Sequence, residues 1–77
     1  MPISLAELPK GAQARVVDVD ARDEVGRRIL EMGVTPGATV KLVAVAPLGD
    51  PLAFEVRGYR LSLRKAEAAR VAVEPLP

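Results

Sequence analysis

The chain has no cysteine, no histidine and no tryptophan among its 77 residues. Without cysteine there is no disulfide framework and no thiolate metal site. With histidine missing as well, a transition-metal ion would have to rely on carboxylates alone. Catalysis loses its commonest bases by the same absences. A serine or threonine nucleophile needs an adjacent base to activate it, and Ser4, Thr35, Thr39 and Ser62 have none in view; the sequence therefore predicts no enzyme. Aromatics are nearly absent too, Phe54 and Tyr59 being the whole set. Charge of one sign is also lacking. Eleven Lys and Arg against ten Asp and Glu leave a net charge of +1, too little for electrostatics alone to hold nucleic acid or a membrane surface. The longest uncharged run, Met32 to Val40, falls far short of the ~20 residues of a membrane-spanning helix. The opening MPISLAELPKG has neither the charged n-region nor the apolar run of a signal peptide. A soluble cytoplasmic protein is expected.

What is present is a small-residue apolar set, mostly Ala, Val and Leu, in a chain long enough for a single domain over 1–77. A domain of this size buries only about 60% of its unfolded surface. That leaves no room for a deep cleft beside a core, and it suits a tight barrel.

Local signals place the elements. Ser4 with Glu7 is a capping box over a short turn that Pro9 and Gly11 end. Residues 13–20 read as a strand in which Val17 and Val19 alternate with Asp18 and Asp20. Val16 breaks that alternation, which suggests a β-bulge. Residues 23–32 read as the one substantial helix. Asp23 and Glu24 lie at its positive end, Val25, Ile29, Leu30 and Met32 form its apolar side, and Gly33 is its left-handed cap. Gly26 weakens its interior by roughly 1 kcal/mol relative to Ala, so packing has to hold it. Pro36-Gly37 fits a type II turn. Val40 to Ala46 is a strand, and Ala46 to Pro51 is a connection stiffened by a proline near each end. Leu52 to Arg57 and Tyr59 to Arg64 form a hairpin about Arg57-Gly58, with Tyr59, Leu61 and Leu63 on one face. Lys65 to Ala69 is a helical turn, Val71 and Val73 belong to a closing strand, and Pro75 and Pro77 end the fold. The pattern predicts a mainly β fold, a small SH3-like barrel of about five strands with one helix inserted after the first.

The ordered set Leu30, Met32-Gly33, Pro36-Gly37, Ala46-Pro47-Leu48-Gly49-Asp50-Pro51 and Leu61-Ser62-Leu63-Arg64-Lys65 resembles the FeoA family, small cytoplasmic proteins that accompany the bacterial ferrous iron transporter FeoB. The resemblance runs from Leu5 across nearly the whole chain. It implies an accessory or regulatory role in iron uptake, with the cytoplasmic side of that GTP-dependent membrane transporter as partner. The same domain type occurs at the C-terminal end of some metal-dependent repressors, and this chain has no room for their DNA-binding part.

Asp18, Asp20, Asp23 and Glu24 cluster in sequence, but an EF-hand loop counted from Asp18 would put Arg22 at position 5, where an oxygen ligand is required. They read as solvated strand ends and a helix start. The family's iron association runs through its partner, so neither a metal nor a cofactor is assigned to this chain. As an alternative function, a glycine-bearing turn before a Val-rich strand is similar to the KOW type of ribosomal and transcription proteins, which would make the chain an RNA-binding barrel. Arg57, Arg60, Arg64, Lys65 and Arg70 could line one face, with Tyr59 the one exposed stacking candidate. A self-associating module pairing through a strand edge is a third possibility. For partner binding, Leu48 stands out, because a turn does not require Leu there. Asp50 and Pro51 in the same connection, Arg64, and Met32 at the helix end complete the candidate surface.

Overall fold

The apolar alternation resolves into six strands in a computed structural model that describes residues 2–77. They are β1 (Ile3–Ser4), β2 (Gln13–Val19), β3 (Thr39–Val45), β4 (Leu52–Val56), β5 (Tyr59–Leu63) and β6 (Val71–Pro75), with helices α1 (Glu24–Glu31) and α2 (Lys65–Ala68). One sheet holds all six in the order β1-β6-β2-β3-β4-β5, every pair antiparallel. About five strands were expected. The sixth is the two-residue β1, too short to carry an alternation, which sets Ile3 opposite Val73. Ser4 then begins the capped turn. Its Oγ accepts from the Ala6 amide at 3.2 Å and its own amide donates to the Glu7 carboxylate at 2.9 Å.

The bulge in β2 lies where the sequence breaks its alternation. Val16 pairs with Val73 and Asp18 with Ala72, leaving Val17 as the extra residue. Parity changes across it. Ala14, Val16 and Val19 face the core, while Val17 and Asp18 face out. The sequence reading grouped Val17 with Val19, and the bulge is what separates them. β3 carries a second bulge between Leu42 and Ala44.

Inward side chains from the strands join Leu5, Ile29, Val34 and Ala68 in one cluster around the fully buried Phe54, so the sheet wraps about a single core. No charged or polar side chain of the described residues is buried in it. Helix α1 closes one side of that core. Asp23 is its N-cap, accepting from the Gly26 amide at 3.1 Å. Gly26 has a packing reason to be glycine, since a Cβ there would lie 2.0 Å from the Asp20 carbonyl oxygen. At the other end Gly33 takes φ +97°, the expected left-handed cap. Among the described residues no helix is long and apolar enough to cross a membrane.

Candidate functional site

The connection between β3 and β4 is built from turn chemistry. The Gly49 amide donates to the Ala46 carbonyl at 2.8 Å and the Ala46 amide to the Pro51 carbonyl at 3.1 Å. Proline second and glycine fourth suit a type I turn over Ala46–Gly49, and Gly49 has φ +87°. The Asp50-Pro51 peptide is cis. These bonds fix the loop while leaving Leu48 at its tip, 97% exposed. Tyr59, the next most exposed large apolar side chain among the described residues, reaches 44%. Covering a fully exposed leucine is worth about 1.5–3 kcal/mol, a gain this chain leaves unused.

Asp50, Pro51 and Arg64 line one shallow depression beside that tip. Asp50 has a structural bond as well, its Oδ1 accepting from the Lys65 amide at 3.0 Å. It thereby satisfies one of the orphan amides that open α2. Pro51 and Arg64 also border a second groove, between α1, α2 and β5, lined as well by Val25, Ser62, Leu63 and Ala66. Ion pairs bracket this groove. Arg28 of α1 reaches Glu67 of α2 at 2.6 Å, and the other oxygen of Glu67 accepts from the Arg64 amide at 2.8 Å. Arg70 pairs with Asp23 on the far side. The guanidinium of Arg64 makes no ion pair among the described residues. These long-range pairs carry no local sequence signal, and sequence reasoning missed both them and the groove they frame.

Met32 lies apart from this surface. It caps the C-terminal end of α1, packs against the core and accepts the Tyr59 hydroxyl on its carbonyl. Arg57 donates beside it, to the Gly33 carbonyl at 3.3 Å and the Thr35 hydroxyl at 3.0 Å. Arg57 and Tyr59 belong to the turn end of the β4–β5 hairpin, whereas Leu52 and Leu63 form its open end next to Pro51 and Arg64. Five strand residues at about 3.3 Å each separate the two ends. The structure thus gathers Leu48, Asp50, Pro51 and Arg64 and leaves Met32 at the opposite end. Tyr59, the stacking candidate, has its hydroxyl committed to the helix end.

Two acids of the run, Asp20 and Asp23, are held by arginines. Asp20 is held by Arg22 through two bonds of 2.9 Å, and that contact lowers its carboxyl from 3.8 to about 2. Asp23 is lowered by its bond from Arg70 and by the Gly26 amide. No three potential metal-ligating side chains come together among the described residues.

Comparison with known proteins adds three findings. The model of the FeoA domain matches residues 3–75. A curated Fe(2+) transport protein A/Fe(2+) transporter FeoB fusion protein of Porphyromonas gingivalis is 44% identical over 70 residues, which are 91% of this chain and 8% of that protein's length. Among solved structures, the NMR structure of a FeoA-like protein from Clostridium acetobutylicum superposes with a TM-score of 0.92 at 38% identity, covering 99% of this chain and 88% of that one. The crystal structure of Stenotrophomonas maltophilia FeoA complexed with zinc, described as a procaryotic SH3 domain protein, gives 0.83 at 39% identity over 94% and 89% of the two chains. That description agrees with the SH3-like class read from the sequence.

Proposed function

This chain belongs to the FeoA family, which is associated with ferrous iron transport, and from that premise we propose that it is an accessory or regulatory protein docking on the cytoplasmic side of a FeoB-type, GTP-dependent iron transporter. One observation carries the reading: a relative 44% identical to this chain holds the two partners in one polypeptide. Covalent fusion sets two modules at a high effective concentration, and it favours pairs that work together. The docking surface is the β3–β4 loop. Leu48 is its anchor and Pro51 stiffens it, which lowers the entropy cost of binding. Asp50 and Arg64 offer charge-assisted contacts of opposite sign.

The test is a pull-down of the purified chain against the cytoplasmic domain and the full membrane form of its FeoB, with and without guanine nucleotide. Binding is expected, and Leu48→Asp is expected to abolish it. An exposed substitution of this kind should leave folding stability within about 0.5 kcal/mol, so an unchanged melting curve accompanies the loss. A melting curve that collapses would remove Leu48 from the surface. Absence of binding in every nucleotide state, with RNA co-purifying instead, would favour the nucleic-acid reading.

A further inference from the structure

Among the described residues no further strand pairs with the last strand of the sheet, and its Ser62 lines the groove that Val25 and Arg28 of α1 also border. β5 ends the strand order and pairs with β4 alone. Its hairpin turn has two residues, Arg57 and Gly58, with φ of +53° and +85°, and that geometry decides which main-chain groups face outward. Residues flanking such a turn exchange hydrogen bonds, and bonding alternates from there along the strand. Tyr59, Leu61 and Leu63, opposite Val56, Phe54 and Leu52, therefore direct their amides and carbonyls to β4. Arg60 and Ser62 direct theirs away from the sheet. No turn, cap or loop among the described residues bonds the main chain of either, and both side chains are exposed.

The outward side chains next to this edge form a row across four strands. Gln13 of β2 stands opposite Lys41 of β3, Lys41 opposite Glu55 of β4, and Glu55 opposite Arg60 of β5. Along the charged part of the row the sign alternates, and it stops on an arginine at the free edge. Unlike charges directly opposite each other on neighbouring strands attract, and like charges repel. We infer that the free edge of β5 accepts an extended acidic segment of a partner protein as an added strand. A carboxylate of that segment lies opposite Arg60, and its alternate apolar residues pack beside the half-buried Leu61. Main-chain bonds to Arg60 and Ser62 supply the grip and the carboxylate supplies the selection, the usual division in strand addition.

A second copy of this chain does not meet the requirement. The outward residues of β5 are Arg60 and Ser62, with Arg64 just beyond. Pairing β5 with itself would set arginine against arginine or serine and never against an acid. An edge arginine thus discourages self-association and, by the same charge, selects an acidic partner. This surface goes beyond the loop-docking reading: it uses main-chain groups of the hairpin and holds whichever protein carries the segment.

The experiment uses the full chain, isotope-labelled, with two acetylated pentapeptides, Val-Glu-Val-Glu-Val and Val-Lys-Val-Lys-Val. The glutamate peptide is expected to bind and to slow amide exchange at Arg60 and Ser62, while Tyr59, Leu61 and Leu63 stay as protected as before. Arg60→Glu should weaken the glutamate peptide by about tenfold and strengthen the lysine one. Ser62→Pro removes an outward amide without removing a bond to β4, and it should weaken both peptides; a melting curve for each variant confirms that it folds. Equal binding of the two peptides to the unmodified chain, no binding of either, or binding that leaves the Arg60 and Ser62 amides exchanging at their free rate overturns the inference. So does protection of those two amides by self-association in the peptide-free chain.

Discussion

Gly26 shows how one residue can reverse a general rule. Alanine exceeds glycine in helix propensity by about 1 kcal/mol, so Gly26→Ala ought to stabilise α1. The Asp20 carbonyl occupies the space a Cβ needs, and overpacking of this kind costs about 1–3 kcal/mol. Gly26→Ala is expected to destabilise, and a urea midpoint lower than that of the unmodified chain would show it. Asp20 and Asp23 give the residue scale its pH dependence. Both carboxyls are lower in the folded chain than in the unfolded one, by their bonds from Arg22 and Arg70 respectively. Their stabilisation is therefore present above the ordinary value of 3.8 and is lost as pH falls below it, for Asp20 toward about 2. The urea midpoint should drop across that window, and Arg22→Ala should flatten the drop. Because these pairs are exposed, added salt should shrink the effect.

Among the elements, one connection that the strand ladder does not explain joins the β4–β5 turn to the end of α1, through Tyr59 to the Met32 carbonyl and Arg57 to Gly33 and Thr35. Tyr59→Phe keeps the ring and removes the donor. A loss of about 0.5–1.5 kcal/mol is expected, measurable by thermal melting. Elements governed by local rules were legible in the sequence. Ser4 with Glu7, Asp23 and Gly33 about the helix, and Arg57-Gly58 in the hairpin all act through neighbours a few residues away. The β3 bulge was not legible, because Leu42 to Ala46 is apolar throughout and offers no change of parity to read. β1 was too short to alternate. The pairs Arg70–Asp23 and Arg28–Glu67 join residues 47 and 39 positions apart, and only the folded chain brings them together. For the candidate site, the loop from Pro47 to Pro51 and the exposure of Leu48 followed from turn chemistry. Its adjacency to Arg64 and its distance from Met32 depend on which end of the hairpin each residue meets, which composition does not encode.

At the scale of the whole molecule, β1 lies against β6, with Ile3 opposite Val73. The first and last strands are therefore neighbours in space, on the far edge of the sheet from β5. A backbone whose two ends sit side by side can be closed into a ring with a short Gly/Ser linker and reopened elsewhere, because exposed loop tips tolerate new termini. A circular permutant cut between Leu48 and Gly49 would keep every strand pair while destroying the geometry of the proposed docking loop. It should fold, giving a β-rich circular dichroism spectrum with a cooperative melt, and it should fail to bind the transporter. The connectivity of this chain thus makes its β3–β4 loop separable from its architecture.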